Sequence, residues 1–418
     1  MLWLLLSIAS AASPRSGALD NGVTWTVLER PEASLVAVQH WVGAGAVHEP
    51  EGRAGTAHLL EHLLIGSEQG ALESTLSPSG GRLNGFTAAD YTRYAAVMPP
   101  DALPGWLTAT ADRFQDLTLT AETFERERRV VHEELAQRGR GLSAQVQVTI
   151  DAAVYADHPY ARILAGRNAR LDGLDITDAR AFYERHYVPG LLHVVVVGPV
   201  DAAEVRDWMI RAYGEIAPAQ APPPIPALDP SMFGVEIVDA PDAAVARVEA
   251  RMWPLPPATH PDYWALRVAL QPLEADTGAR LLDLLSDDTA ITRVGADVRW
   301  RRLGGHLVVT GVFSGTRSQE KNKADQGALV ASLADPPWLS DEEIAVTHRR
   351  AIRRMRSASW DVQETARWLG WSWRYMGLSR SPSQLASEIA SLTPERIRAV
   401  WARWITAAKA IRIQLNVG

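Results

Sequence analysis

The 418-residue chain contains no cysteine. Disulfides, thiolate-held zinc, iron–sulfur clusters and cysteine nucleophiles are therefore excluded, and any metal must be held by His, Asp or Glu. Basic charge is not in excess either: 42 Lys and Arg stand against 49 Asp and Glu, net −7. That excludes a globally basic nucleic-acid binder. No apolar run reaches the roughly 20 residues that cross a bilayer. What is present is a chain 47% hydrophobic and 22% charged, enough for a packed core, so disorder and collagen-like repeats are excluded despite 26 prolines and 30 glycines. At about 150 residues per domain, the length predicts two or three domains.

The run Leu2–Ala12 is apolar and closes on small residues, with Ala9-Ser10-Ala11 in the shape that signal peptidases cut. A charged leader region is missing. Residues 1–12 are expected to be a cleaved signal peptide, placing the protein in the periplasm or outside the cell; the alternative, an uncleaved start that is a buried first strand or a frayed end, leaves it in the cytoplasm. The absence of cysteine suits an oxidising compartment.

Residues 217–230 read APAQAPPPIPALDP, with six prolines in fourteen positions, an extended linker. Similar patterns recur on either side. Val27-Leu28-Glu29-Arg30-Pro31, followed by Leu35–Val38, matches Val238-Asp239-Ala240-Pro241, followed by Val245–Val248. Later, Ile176-Thr177-Asp178 and the strand Val194–Val197 match Leu392-Thr393-Pro394 and the strand Ile411–Val417. Thr177 and Thr393 are expected as helix N-caps, with Pro394 in the first turn. The repeat predicts two homologous domains, 13–216 and 231–418. Strands cluster early in each half (Thr24–Leu28 and Leu35–Val42 in the first), helical patterns fill the middle and a strand closes the unit. The fold class is therefore α+β, each domain a mostly antiparallel sheet with helices packed on one face.

Residues 56–64 read TAHLLEHLL, uninterrupted by Gly or Pro. On a helix, His58 and His62 are four apart and project side by side, while Glu61 lies between them, placed to take a proton rather than to hold a metal. This is H-x-x-E-H. Zinc needs a third protein ligand that leaves one position open. The charged stretch 124–134 offers Glu127 and Glu134, seven apart on one helical face; one can coordinate while the other orients a ligand histidine. Read alone, that stretch is a solvated helix of alternating charge, and Gly80-Gly81 is an ordinary hairpin turn.

The segment Gly55–His62, then Gly80-Gly81-Arg82-Leu83-Asn84-Gly85-Phe86-Thr87 with Asp90-Tyr91-Thr92-Arg93-Tyr94, then the Glu127/Glu134 helix, resembles the inverted-motif zinc peptidases, the family of pitrilysin, insulin-degrading enzyme and the mitochondrial processing peptidase. Asp157-His158-Pro159-Tyr160 with Gly166, and Phe182 through Tyr187-Val188-Pro189 to Gly198, extend the likeness. It covers most of residues 20–216 and continues faintly beyond. The resemblance implies one Zn2+ per chain, held by His58, His62 and Glu134, with Glu61 as general base and Glu127 behind the ligands. Glu133 is off that face and His132 is an exposed bystander. Asn84 resembles the residue near the scissile carbonyl, and its strand, with Phe86, implies an edge to which a peptide adds.

The second half has Asp262–Val268 where the first has its histidine helix, so no second metal is expected. The family's Arg and Tyr, seven apart in a facing half, align with Ser286 and Arg293. Their absence implies a metal-bearing subunit of a heterodimer, its homologous metal-free partner donating the pair and closing a chamber around peptide or unfolded segments. The alternative is a non-catalytic assembly subunit of the same fold. The basic run 348–356 reads as a solvated or subunit-facing helix, the tryptophans at 360, 368, 371 and 373 as core or interface, and His158 as structural.

Overall fold

The computed structural model describes residues 13–66, 72–138, 154–155, 158–162, 171–228, 238–239, 246–275, 279–285, 288–313, 318–406 and 410–417. The expected signal segment 1–12, the end of the linker (Asp229 and Pro230), Asp157, Gly166, Ser286 and Gly418 lie outside the described residues.

Two sheets organise the chain. The first contains β1 (Arg15–Ala18), β2 (Thr24–Glu29), β3 (Val36–Val42), β4 (Arg82–Thr87), β5 (Thr92–Met98) and β6 (Leu192–Gly198) in the order β1-β2-β6-β3-β5-β4. Its helices include α1 (Thr56–Ile65), α2 (Leu72–Leu76), α3 (Leu103–Gln115), α4 (Ala121–Arg138), α5 (Ile176–His186) and α6 (Ala202–Tyr213). The second contains β7 (Val238–Asp239), β8 (Ala246–Leu255), β9 (Ile291–Arg299), β10 (Gly305–Phe313) and β11 (Ile411–Val417) in the order β7-β11-β8-β10-β9. Its helices include α7 (Tyr263–Ala275), α8 (Ala279–Leu282), α9 (Gln319–Ser332), α10 (Asp341–Ala358), α11 (Val362–Met376), α12 (Pro382–Ala390) and α13 (Pro394–Trp404).

The two strand orders superpose. In each sheet one parallel pair (β2 with β6, β7 with β11) adjoins antiparallel pairs, and the edge strands β4 and β9 occupy corresponding places. The fold is α+β in two homologous units. β3 and β6, rich in β-branched residues, are buried along their whole length. One face of their sheet packs on helices of its own half. The other is covered by α11 from the second half, which sets Ala366 and Leu369 against Leu28, Ala37, Trp41, Val195 and Val197.

Two local expectations need correction. The N-cap of α5 is Asp175, whose carboxylate accepts from the backbone N–H of Thr177 and Asp178. A carboxylate is the better acceptor for the positive end of a helix, so it displaces the threonine; Thr393 does cap α13. Gly80, in the left-handed region at φ 72°, closes the 3-10 turn Ser77–Ser79 rather than a hairpin; the β4–β5 hairpin turns at 88–91.

The halves are joined at a buried carboxylate. Asp90, in that hairpin, accepts from the Tyr160 hydroxyl (2.6 Å), the Arg302 backbone N–H (3.1 Å) and the Tyr375 hydroxyl (3.4 Å). Arg374 donates to the carbonyls of Asp90 and Gly43, both at 2.7 Å; burial lowers its pKa to about 10. His158 bonds the Pro226 carbonyl at 3.1 Å, a structural role. Among the described residues, no helix is long and apolar enough to cross a membrane.

Candidate active site

Helix α1 is fixed by leucines and by its start. Leu59, Leu60, Leu63 and Leu64 are fully buried, which turns His58 and His62 toward a cavity of about 990 Å³. The chain enters α1 through Gly55, at φ 95°, a backbone conformation that a side chain disfavours. There the buried carboxylate of Glu49 accepts from the N–H groups of Gly55 (3.0 Å) and Ala57 (2.9 Å). Negative charge at this end also complements the helix dipole.

Helix α4 packs across α1. Phe124 and Val131, seven apart, are buried, and the adjacent face carries Glu127 and Glu134. His58 Nε2 lies 3.8 Å from Glu134 Oε2, and His62 Nε2 lies 3.7 Å from Glu134 Oε1. One donor atom from each of His58, His62 and Glu134 lies within 4.8 Å of the others, the one such group among the described residues. Ligands about 2.1 Å from a tetrahedral zinc stand roughly 3.4 Å apart. Two imidazoles and a carboxylate at these separations therefore fit zinc with a small contraction.

Around them, His62 Nδ1 faces Glu127 Oε2 at 3.4 Å, which presents Nε2 to the cavity. Arg126 holds α4 to the end of α1 by donating to the Gly66 carbonyl (2.9 Å). Glu61 is buried yet lines the cavity, and accepts from the Thr87 hydroxyl on β4 at 2.6 Å. Behind it, the Tyr94 and Tyr187 hydroxyls bond at 2.6 Å. Burial, Tyr187 and the charge of Glu61 hold the Tyr94 phenol well above its ordinary pKa.

Each predicted site residue reaches this cavity: His58, Glu61, His62, Asn84, Phe86, Glu127 and Glu134 all line it. Asn84 and Phe86 are exposed on β4, the edge of its sheet, and Phe86 lies beside Tyr91 and the Arg93 guanidinium. His132 and Glu133 are exposed. Arg293 lies on β9. Sequence reasoning missed Glu49, Gly85 and Thr87, and also Arg299 and Arg301, which line the cavity from the second half. Gly85 and Thr87 stand inside the quoted segment 80–87, which was the one available signal for them; Glu49 and the arginines left none.

Residues 26–168 match the family model described as Insulinase (Peptidase family M16), and residues 173–332 match that of the Peptidase M16 inactive domain. Over 279 residues the chain is 27% identical to the "Probable mitochondrial-processing peptidase subunit beta" of Schizosaccharomyces pombe, covering 63% of this chain and 60% of that one. It is 32% identical over 222 residues to an "Uncharacterized zinc protease" of Mycobacterium bovis, 50% of this chain and 51% of the relative. The chain thus spans about half to three fifths of the length of these curated relatives. The crystal structure of a protease from Helicobacter pylori shares the fold, with a TM-score of 0.76 at 17% identity over 97% of this chain and 100% of that one. The chain belongs to the M16 peptidase family.

Proposed function

We propose that this member of the family is a zinc-dependent endopeptidase that hydrolyses extended peptides in the cavity beside α1 and β4. The observation that supports it most is the convergence of His58, His62 and Glu134 donors within 4.8 Å, with Glu61 held one residue aside. His58, His62 and Glu134 would hold the metal, and Glu127 would fix the tautomer and orientation of His62. Bound zinc supplies Lewis-acid polarisation of a substrate carbonyl and acidifies water. Glu61 accepts the proton of the attacking water on a carboxylate oxygen and delivers it to the leaving amine. The Thr87 hydroxyl, bonded to Glu61 Oε2, restrains the carboxylate where it lines the cavity. A peptide added along the edge of β4 passes Asn84 and Phe86 beside this carboxylate.

The proposal extends to a partner. The aligned Arg–Tyr positions carry Ser286 and Arg293, so a homologous, metal-free subunit would supply backbone-gripping groups and close the chamber. The isolated chain is then expected to hydrolyse peptides weakly.

The test couples zinc analysis to a quenched-peptide assay, with and without a co-purified partner. Glu61→Gln is expected to keep one zinc and lose turnover at least about a hundredfold; His58→Ala loses both. Wild-type hydrolysis by Glu61→Gln would overturn the assigned base, and zinc-free protein that hydrolyses normally would overturn the metal. Full activity without a partner would overturn the two-chain arrangement.

A further inference from the structure

The basic run 348–356 lies outside the cavity lining, on the second half of α10. There Arg349, Arg350, Arg353, Arg354 and Arg356 are all exposed. Arg349, Arg353 and Arg356, at i, i+4 and i+7, fall within a stripe about 60° wide. The opposite face, with Ile344, Thr347, Met355 and Ala358, is buried, so the arginines face away from the protein. Acids at the start of the helix are paired: Asp341 with Arg398 at 2.7 Å, and Glu343 with Arg280 at 3.1 Å. Among the described residues, no carboxylate pairs with Arg349, Arg350, Arg353 or Arg356. The helix dipole accounts for Arg356, in the last turn, but not for the others. The chain as a whole is acidic, net −7. Unpaired arginines gathered on one exposed face of an acidic protein call for an anionic counterpart.

Just past the helix stands Trp360, 84% exposed, the most exposed large apolar side chain among the described residues. Its turn is held in place. Arg30, following β2, donates to the Ser359 carbonyl, and the Ser359 N–H bonds the Met355 carbonyl at 3.1 Å. The Thr365 hydroxyl donates to the Ala358 carbonyl at 3.0 Å. Acids of this region are occupied: Asp361 caps α11 by accepting from the Glu364 N–H at 2.8 Å, Glu32 pairs with Arg30 at 2.9 Å, and Glu364 pairs with Arg367 at 2.6 Å. An indole left in water contributes little to the fold. At a lipid surface its ring enters the interface while its N–H stays wet. A protein interface needs an apolar core, and this face offers one ring beside arginines. A duplex is repelled by the net charge of the chain. A plane of anionic headgroups needs only what is present, guanidiniums that fork onto phosphates and one aromatic anchor.

We propose that the exposed face of α10, with Arg349, Arg350, Arg353, Arg356 and Trp360 at its end, docks the protein on an anionic lipid surface. The arginines meet headgroup phosphates and the indole enters the interface, so the chain lies on a membrane without crossing it. This goes beyond the peptidase reading and does not depend on it.

The test sediments the full chain with vesicles, one set of phosphatidylcholine alone and one with phosphatidylglycerol as about a third of the lipid. The chain is expected to pellet with the anionic set and to stay in solution with the neutral one, and added salt is expected to release it. Arg349→Gln, Arg353→Gln and Arg356→Gln combined should weaken binding about a hundredfold, near fivefold for each charge. Trp360→Ala should weaken it about tenfold. All four side chains are exposed, thermal melts check that the variants fold, and the salt titration needs no variant. No binding to either set, equal binding to both, binding indifferent to salt, or full binding by either folded variant overturns the docking site. Labelled duplex DNA and polyglutamate are titrated alongside. Either one bound as tightly as the anionic vesicles overturns the lipid assignment, in favour of a nucleic acid or an acidic protein.

Discussion

The carboxylate of Glu61 occupies the space in which a side chain at position 85 would begin. A Cβ on Gly85 would stand 2.9 Å from Glu61 Cδ and 2.8 Å from Ile65 Cδ1, distances that real Cβ atoms do not show. β4 can approach α1 this closely because residue 85 is glycine, and the approach lets Thr87 reach Glu61. Gly85→Ala is therefore expected to push Glu61 off Thr87. Turnover should fall by about tenfold to a hundredfold, as for other small displacements of a reacting group. Zinc content, measured by elemental analysis, should not change.

Glu49 anchors the start of the helix that carries both histidines. Glu49→Ala removes two acceptors from buried N–H groups and one negative charge from a helix N-terminus. We expect a loss of about 1–2 kcal/mol, the range for N-cap deletions, read as a lower urea midpoint at unchanged slope. A midpoint equal to wild type would show that α1 does not need this cap.

Glu127 faces His62 Nδ1 at 3.4 Å. Glu127→Ala is expected to weaken zinc binding about 10- to 100-fold, the usual effect of removing the group behind a ligand histidine. Glu133→Ala, on the exposed face next door, should leave it unchanged. Competition against a chromogenic chelator measures both; equal affinities in the two variants would remove Glu127 from its assigned part.

Among the described residues, burial holds five histidines neutral: His40, His48 and His193 have pKa values lowered to about 3, His186 to about 4, and His306 well below the ordinary value. Unfolded, each titrates near 6.5. On acidification below that value the unfolded chain binds protons that the folded chain does not. Stability is therefore complete above pH 6.5 and declines as pH falls toward 4, each histidine contributing up to about 1.4 kcal/mol per pH unit. Urea midpoints at pH 7 and pH 5 should differ in that direction, and His193→Gln should make the decline shallower. A midpoint at pH 5 equal to or above that at pH 7 would contradict this account.

The clustering of His58, His62, Glu127 and Glu134 was legible because each pairing is local. His58 and His62 are one helical turn apart, Glu127 and Glu134 two turns apart, and helical periodicity alone places each pair on one face. The duplicated topology could be read from recurring strand and helix-start patterns, such as Val27-Leu28-Glu29-Arg30-Pro31 against Val238-Asp239-Ala240-Pro241. What escaped depends on contacts between distant residues. Glu49 reaches α1 across a loop, and Thr87 meets Glu61 only because two elements cross. Arg299 and Arg301 enter the cavity only because the second half docks on the first. At the start of α5, two good caps stood two residues apart, and the competition between Asp175 and Thr177 was settled by charge.

Helix α11 closes the outer face of the first sheet, and Asp90 is hemmed in by groups from three separate stretches of chain. An excised first half would present Trp41, Val195 and Val197 as a naked greasy slab and strip Asp90 of the partners it has in the second half. A unit that arose by copying itself has thus lost the freedom to live singly: each half has become part of the other's interior.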